Sequence, residues 1–275
     1  MKIIKIETIP IRLPTRRVHQ WASLTTPIGV YVIIKLHTDE GLTGLGEAPV
    51  LKDWGGDHGK YFGETPQTTM HIINDILAPA LSGQDPSRFE SMHALMDKAV
   101  KGYPYCKPAI DAALYDVVGK ALKVPAYQLL GGLFRDRVPI AHSLGLMEID
   151  KAVEEALQAK SEGVKTIKLK CGVDQKRDVD LVKQIRKAIG PNLNICVDAN
   201  QGYPTAKAAV KITKAMAEFD LLYMEQPVEG LDQMAEVARR VDTPIMADES
   251  AWTPQDVVEI VRKKAADVIS IYTTK

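Results

Sequence analysis

The chemistry that this sequence can perform is most visible in a short lysine-containing segment, residues 166–171. Lys168 and Lys170 alternate there with Ile167 and Leu169, which is the pattern of a β-strand. Side chains two apart on a strand share a face, about 6.6 Å apart along it. Repulsion of roughly 2.5 kcal/mol between two such ammonium groups lowers a lysine pKa by about two units. An amine of this kind, brought nearer neutrality by burial, could remove a carbon-bound proton. A solvated edge strand with both lysines in water is the alternative.

Acidic residues end three successive predicted strands further along the chain. They are Asp198, Glu225 and Asp248. Because the carboxyl ends of neighbouring parallel strands meet at one edge, we expect these carboxylates to converge. Their repulsion would be relieved by a hard divalent cation, and oxygen ligands suit Mg²⁺, with Mn²⁺ as the alternative. Any one of the three could instead cap the helix that follows it.

A third lysine, Lys275, directly follows the sixth predicted strand. In a closed barrel of eight strands the second and sixth strands lie opposite each other, so we expect Lys275 to face Lys170. A substrate between these two amines could lose a proton on one side and gain one on the other. An exposed terminal lysine without a role is the alternative.

Two regions with different patterns position these residues. Residues 1–130 contain three alternating segments followed by helical patterns, which predict an α+β domain with a three-stranded meander. In residues 131–275, short apolar segments alternate with amphipathic ones, which predicts an α/β TIM-type (β/α) barrel. Six strands are predicted where such a barrel has eight and about 250 residues, so we expect a barrel that is incomplete at Lys275 in a truncated chain.

The boundaries of the predicted elements follow from periodicity and from turn residues. The predicted strands are 2–14, 30–37, 42–48, 138–144, 166–171, 194–199, 221–226, 244–249 and 267–273. The predicted helices are 66–81, 86–101, 107–122, 149–161, 175–188, 205–217, 230–240 and 254–264. No glycine-rich dinucleotide fingerprint follows a predicted strand, which disfavours a doubly wound sheet.

Composition restricts the class of protein. The 275 residues include 45% hydrophobic ones, and Lys plus Arg balances Asp plus Glu at 35 each. A net charge of zero argues against a nucleic-acid or anionic-membrane partner. No apolar run approaches the roughly eighteen residues of a membrane span, and the three cysteines have no metal-site or disulfide spacing. We therefore expect a cytoplasmic protein. We also expect a homo-oligomer with a small-molecule carboxylate as its substrate.

These motifs resemble the enolase superfamily, and within it the muconate lactonizing enzyme subgroup, which is grouped with mandelate racemase. In the C-terminal half the resemblance rests on Lys168-x-Lys170, on Asp198, Glu225 and Asp248, on Asp248-Glu249-Ser250, and on Lys275. In the N-terminal half it rests on Thr38-Asp39-Glu40-Gly41-x-Thr43-Gly44-x-Gly46-Glu47, on residues 109–116, and on Leu129-Leu130-Gly131-Gly132. The resemblance covers essentially the whole chain.

The resemblance implies a role for each of these residues. Asp198, Glu225 and Asp248 would bind Mg²⁺, which would hold a substrate carboxylate and stabilise an enediolate. Lys170 and Lys275 would be the two acid–base groups. Lys168 would hydrogen-bond the carboxylate and depress the pKa of Lys170. Asn200 and Glu249 would surround the ligands. Capping-domain loops around Trp21 and residues 52–62 would close over the barrel, with Trp54 and Tyr61 as candidate substrate contacts.

The sequence thus predicts a Mg²⁺-dependent enzyme that removes the proton α to a carboxylate. We expect a cycloisomerase, or a racemase or epimerase of a small carboxylate or amino-acid derivative. A sugar-acid or hydroxy-acid dehydratase of the same superfamily is the alternative. Two other classes stay open: a Schiff-base aldolase that uses Lys168 or Lys170, and a non-catalytic truncated barrel with a binding or structural role.

Overall fold

The computed structural model describes residues 1–24 and 28–274, apart from the side chain of His58. The N-terminal part is built on an antiparallel sheet of three strands, in the order β1-β2-β3. The strands are β1 Ile3–Arg12, β2 Val30–Thr38 and β3 Thr43–Pro49. The helices that follow are α1 Pro66–His71, a π-helical segment Ile72–Leu77, α2 Ala78–Leu81, α3 Phe89–Ala99, α4 Cys106–Leu122 and α5 Ala126–Leu129. The predicted meander and helices are confirmed, and α5 is an additional short helix.

Two glycines allow α4 to pack directly on the sheet. A Cβ atom on Gly46 would lie 1.8 Å from the carbonyl oxygen of Ala109, and one on Gly44 would lie 2.0 Å from that of Ala113. Any side chain at either position would therefore separate α4 from β3. This close approach is the physical reason for the Gly44-x-Gly46 pattern, since a glycine has no Cβ.

The C-terminal part contains six parallel strands, in the order β4-β5-β6-β7-β8-β9, with helices between them. The strands are β4 Ala141–Leu144, β5 Thr166–Lys170, β6 Asn194–Asp198, β7 Leu221–Glu225, β8 Ile245–Ala247 and β9 Val268–Ile269. The helices are α6 Ile149–Ser161, α7 Gln175–Ile189, α8 Ala206–Met216, α9 Leu231–Ala238 and α10 Pro254–Lys263. This is a parallel sheet of the α/β-barrel type, as predicted.

The later strands are shorter than their apolar patterns predict. The predicted segments 244–249 and 267–273 form strands of three and two residues, β8 and β9. Past β8 the chain leaves the strand ladder, because the N–H groups of Asp248 and Ser250 donate to the side-chain oxygen of Gln226. Hydrogen bonds to a side chain replace strand pairing here and free the loop to carry functional groups. Within the described ranges, no helix is long and apolar enough to cross a membrane.

Candidate active site

Strand β5 brings Lys168 and Lys170 to one side of the sheet, as their spacing predicts. The alternating residues Ile167 and Leu169 are fully buried on the other side. Both ammonium groups contact the same atom, Asp198 Oδ2, at 2.9 and 2.6 Å. Their side chains are only 18% and 11% exposed, so the solvated edge strand is not the arrangement found.

Carboxylates dominate the electrostatics around this lysine pair. Burial favours neutral Lys168, but the charges of Asp198 and Glu225 outweigh it and raise the pKa of Lys168. Burial likewise opposes ionisation of Asp198, yet Lys170 and Lys168 outweigh it and lower the pKa of Asp198 to about 2. The two lysines therefore belong to a buried network of opposite charges.

Asn200 joins Lys170 to a second part of the site. Its Oδ1 accepts a hydrogen bond from Lys170 Nζ at 2.8 Å, and its Nδ2 donates to Glu249 Oε1 at 2.9 Å. Asn200 and Gln201 have φ values of 44° and 63°, in the left-handed region. The N–H of Gln201 donates to the carbonyl of Gln226 at 2.7 Å, which helps to hold this uncommon turn. The turn after β6 thus aims the Asn200 amide between a lysine and a carboxylate.

The acidic residues at the next two strand ends have different partners. Both carboxylate oxygens of Glu225 lie 2.8 Å from Lys168 Nζ, whereas the Tyr272 hydroxyl donates to Asp248 Oδ2 at 3.3 Å. Across residues 1–24 and 28–274, no three acidic, histidine or cysteine side chains are close enough to form a metal-binding group as they stand. The convergence of Asp198, Glu225 and Asp248 on one metal ion stays a prediction. Lys168 Nζ lies between Asp198 and Glu225, at 2.9 and 2.8 Å, and Asp248 accepts from Tyr272.

The chemistry of these donors nevertheless fits a divalent cation. Four carboxylates at this strand-end edge, Asp198, Glu225, Asp248 and Glu249, are each 1% exposed, and Lys168 and Lys170 balance half of their charge. Burial and the charge of Asp198 raise the pKa values of Glu225 and Glu249 to about 8. The Oε2 atom of Glu249 is buried without a hydrogen-bond partner. These carboxylates lack enough positive charge nearby to ionise fully at neutral pH. A divalent cation would supply that charge, and carboxylate oxygens are the ligands that Mg²⁺ prefers.

A cavity of about 260 Å³ opens beside these groups. It is lined by Lys168, Lys170, Asn200 and Asp248 from the strand ends, and by His19, Trp21, Leu51, Trp54, Ser143 and Tyr272. Burial, assisted by the charge of Lys170, lowers the pKa of His19 to about 4, so this imidazole is neutral at pH 7. The volume lies slightly below the usual range of ligand pockets, which suits a small substrate. A larger cavity, about 690 Å³, lies beside Arg17 and Glu155 and is not lined by the lysines of β5.

Two of the three predicted loop aromatics line this cavity. The ring centroid of Trp21 lies 5.7 Å from Lys170 Nζ, within the range of a cation–π contact. Trp54 also lines the cavity, and its ring packs on Trp252 with centroids 4.9 Å apart. Tyr61 is not among the described residues that line the cavity. Its ring stacks on Trp252 at 5.3 Å, which places it in the contact between the capping loop and the barrel.

Sequence reasoning missed a hydrogen-bond network that joins the two parts of the chain. Asp57 Oδ1 accepts from Gln201 Nε2 at 2.8 Å and from Gly230 N at 3.0 Å, and Oδ2 accepts from Ser250 Oγ at 2.6 Å. Gln226 Nε2 also donates to Ser250 Oγ, at 2.7 Å. The positions of Gln226 and Ser250 beside the acidic strand ends were a usable signal, whereas Asp57 lies in a loop with no such signal.

The segment after β9 contributes a group that the sequence analysis did not select. Tyr272 lines the cavity and contacts Asp248. Lys275, the predicted second acid–base residue, lies outside the described residues. A signal for Tyr272 existed, since it lies near the C-terminal end of the last predicted strand, 267–273, where barrel enzymes place functional side chains.

Comparison with known proteins gives the class and then the family. The antiparallel domain and the barrel-type sheet match the family descriptions "Mandelate racemase / muconate lactonizing enzyme, N-terminal domain" over residues 4–131 and "Enolase C-terminal domain-like" over residues 151–275. The fold and the comparisons define an α/β-barrel enzyme, an isomerase. The chain belongs to the mandelate racemase/muconate lactonizing enzyme family of the enolase superfamily, which confirms the resemblance seen in the sequence.

Solved structures and a curated relative cover the whole chain. The N-succinyl Arg/Lys racemase of Bacillus cereus is 33% identical with a TM-score of 0.93, and the match spans 100% of this chain and 73% of that one. The dipeptide epimerase of Enterococcus faecalis, complexed with Mg and L-Leu-L-Tyr, is 34% identical with a TM-score of 0.92, over 100% and 75% of the two chains. Muconate cycloisomerase 1 of Rhodococcus opacus is 32% identical over 100% of this chain and 73% of its own length.

Proposed function

We propose that this protein is a Mg²⁺-dependent racemase or epimerase that removes the proton α to the carboxylate of an N-acylated amino acid or dipeptide. The observation that carries the proposal is the placement of Lys170. Its amine lies on a small cavity, between the Asp198 carboxylate and the Asn200 amide. The substrate class is supported by relatives named for N-succinylated amino acids and for dipeptides.

Each charged residue then has a role in the proposed reaction. Asp198, Glu225 and Asp248 would hold Mg²⁺, which would bind the substrate carboxylate and stabilise the negative charge that builds up on it. Lys170 takes the α-proton. Lys168 donates a hydrogen bond to the same carboxylate.

The remaining predicted residues support these groups. Asn200 and Glu249 orient Lys170 through the chain of hydrogen bonds from its amine to the Glu249 carboxylate. Trp21 and Trp54 shape the cavity around the substrate. Lys275 is kept as the acid–base residue that the sequence predicts.

The location, the assembly and the domain boundaries of the protein are proposed as well. We propose a cytoplasmic homo-oligomer whose capping domain spans residues 1–130 and whose barrel domain spans residues 131–275. Its three cysteines are free and buried, which is compatible with a reducing compartment.

Exchange of the α-proton with solvent tests this function directly. The protein with excess Mg²⁺ would be incubated in D₂O with N-succinyl-L-arginine, L-Ala-L-Glu or L-Leu-L-Tyr, and deuterium at the α-carbon followed by NMR. We expect exchange with at least one of these probes. Lys170→Ala should abolish it, whereas Lys165→Ala, at an exposed lysine on the same chain segment, should not. Absence of exchange with all probes would refute the proposed function.

Cycloisomerisation is a second candidate, favoured by the muconate cycloisomerase match over the whole chain. This reaction also passes through a carboxylate-stabilised carbanion, and one lysine suffices for it. Loss of the ultraviolet absorbance of cis,cis-muconate in the presence of Mg²⁺ would identify it. Turnover of muconate without exchange of any amino-acid probe would favour this candidate over the racemase.

A further inference from the structure

The side chain of Arg17 joins a loop of the N-terminal part, residues 16–24, to the first strand and helix of the parallel sheet. Its Nη2 donates to the carbonyl of Ser143, in β4, at 2.7 Å. Its Nη1 forms an ion pair with Glu155, in α6. Glu155 Oε1 also lies 2.8 Å from His142 Nε2. One guanidinium is therefore bound to two consecutive elements of the barrel-type sheet.

The backbone of loop 16–24 lies against the turn that follows β4. The N–H of Leu146 donates to the carbonyl of Gln20 at 2.8 Å. A Cβ atom on Gly145 would lie 2.8 Å from the backbone nitrogen of Gln20 and 3.2 Å from its carbonyl oxygen. Because a glycine has no Cβ, the two backbones can approach this closely. The loop is thus held at two points, through the side chain of Arg17 and through the backbone of Gln20.

These two points flank the residues by which the loop reaches the candidate active site. His19 and Trp21 line the cavity of about 260 Å³, and so does Ser143, whose carbonyl Arg17 binds. The ring centroid of Trp21 lies 5.7 Å from Lys170 Nζ. Arg17 is not among the described residues that line the cavity. Any effect of Arg17 on a bound substrate must therefore pass through the loop.

An arginine suits this attachment better than a lysine does. The side chains of Arg17 and Glu155 are 39% and 24% exposed, and an ion pair in such a position contributes little by itself. The planar guanidinium, however, has several donors in fixed directions, so it can bind a carboxylate and a carbonyl at the same time. A lysine at this position would keep the charge but offers one nitrogen for both acceptors. The two contacts together fix where the loop lies.

We propose that Arg17 is a positioning residue, which fastens loop 16–24 to β4 and α6 so that Trp21 covers Lys170 and the bound substrate. This inference rests on the proposed racemase or epimerase function. The guanidinium takes no part in the proton transfer. A loop that is released from β4 leaves Lys170 in place but removes one wall of the cavity. The expected consequence is weaker binding of the substrate, seen as a higher KM, with a smaller effect on kcat.

A double-mutant cycle in the α-proton exchange assay tests the route through Trp21. Arg17→Ala should lower kcat/KM by about tenfold, as Trp21→Leu does, and mainly by raising KM. The double variant should stay within about threefold of Trp21→Leu alone, because both changes remove the same contact. Independent effects would instead multiply to a loss of about a hundredfold. Gly145→Ala, which displaces Gln20 from the side of the barrel, should reproduce the rise in KM.

Hydrogen–deuterium exchange reads the attachment of the loop without any substrate. In Arg17→Ala, mass spectrometry should show exchange of the Leu146 amide about tenfold faster, because its hydrogen bond to Gln20 opens when the loop is released. Arg17→Lys keeps the charge and should recover part of the lost kcat/KM. Arg16→Ala, at the exposed arginine next to it, is the matched control and should change neither the amide exchange nor the kinetics.

Several results would overturn the assignment. Wild-type kinetics in Arg17→Ala would do so, and so would losses that multiply in the double variant with Trp21→Leu. Unchanged exchange of the Leu146 amide in Arg17→Ala would show that the loop is held without the guanidinium. A fall in kcat at constant KM would contradict a role in holding the cavity wall. A wild-type protein that turns over none of the probes refutes the proposed function itself, whereas the amide exchange reports on the loop independently of turnover.

Discussion

Asp57 Oδ2 accepts a hydrogen bond of 2.6 Å from Ser250 Oγ, and this bond joins residues that are 193 positions apart in the chain. Asp57 is 6% exposed and lies in the capping-domain loop, while Ser250 follows the proposed ligand Asp248 by two residues. The N–H groups of both Asp248 and Ser250 donate to Gln226 Oε1, at 2.9 and 3.2 Å. The loop that covers the site is therefore hydrogen-bonded to the backbone segment that carries a proposed ligand.

Asp57→Ala should weaken both the fold and the site. Removal of the carboxylate leaves the donors on Gln201, Gly230 and Ser250 without their acceptor, which should cost about 2–4 kcal/mol of the free energy of unfolding. The KM for substrate should rise, because the capping loop loses its attachment. Asp57→Asn keeps one acceptor oxygen, so both its loss of unfolding free energy and its rise in KM should be smaller. Denaturant unfolding and exchange kinetics measure the two effects, and an unchanged KM in Asp57→Ala would contradict the coupling.

Lys168→Met should make the stability of the protein depend more strongly on Mg²⁺. The ammonium contacts both Asp198 and Glu225, so its removal leaves two buried carboxylates repelling each other. Breaking such a buried pair typically costs about 3–5 kcal/mol. A divalent cation restores the balance and stabilises the folded state by mass action. The gain in thermal midpoint on adding Mg²⁺ after EDTA treatment should exceed that of the wild type and of Lys165→Met. Equal gains in all three proteins would show that Lys168 does not neutralise this site.

Trp21→Leu should reduce kcat/KM in the exchange assay by about tenfold, because a contact between an aromatic ring and a buried ammonium is worth about 1–2 kcal/mol. The ring faces Lys170 and also forms part of the cavity wall. Trp21→Phe keeps an aromatic face and should remain within about threefold of the wild type. If leucine and phenylalanine reduce the rate equally, bulk rather than the aromatic face is what matters at this position.

Glu64 should make the protein less stable as the pH rises. Burial raises the pKa of this carboxyl above its ordinary value of 4.5, although Cys106 Sγ and the N–H of Tyr105 donate to it. The folded state then binds the proton more tightly than the unfolded state does. Between the unfolded and folded pKa values, stability therefore falls as pH increases, and it levels off above the folded pKa.

Glu64→Gln tests this contribution, because glutamine does not titrate. The variant should be less stable than the wild type near about pH 4.5, and this deficit should shrink as the pH rises to about 8. Urea unfolding of both proteins at several pH values measures the difference. Glu154→Gln, at an exposed carboxyl of α6, is the matched control. A deficit that stays constant over the range would show that Glu64 does not titrate differently in the folded state.

The order of strands and helices could be read from periodicity, because alternation and amphipathicity are local properties of the chain. The segment Thr166–Lys170 forms a strand as predicted, and its two lysines share a face. The end of β8 could not be predicted, since pairing there gives way to the side chain of Gln226, a contact that depends on the neighbouring strand. In the sequence, the close packing of α4 on β3 left only the Gly44-x-Gly46 pattern, whose physical reason was not apparent.

The candidate site also has a part that the sequence predicts and a part that it does not. The acidic strand ends and the lysine pair could be identified because residue type and βα spacing determine which side chains reach the same edge of a parallel sheet. The hydrogen-bond and ion-pair partners of these side chains could not be identified, because they come from segments that are far apart in the chain. The repulsion argument for two lysines omitted Asp198, which lies within 3 Å of both ammonium groups. Tyr61 was a candidate substrate contact by resemblance to the family, and the structure adds that its ring stacks on Trp252.

The amino-acid sequence by itself determined the parallel sheet and the set of lysines and carboxylates at its edge, because these follow from periodicity and spacing along the chain. It also determined the family, through the resemblance of its motifs. Only the tertiary structure decided that Asp57 secures the capping loop, that Lys168 lies between two carboxylates, and that Tyr272 faces the cavity. Each of these depends on side chains from separate strands and loops meeting within hydrogen-bond distance. Contacts of that kind are set by the packing of the whole molecule, and no local pattern encodes them.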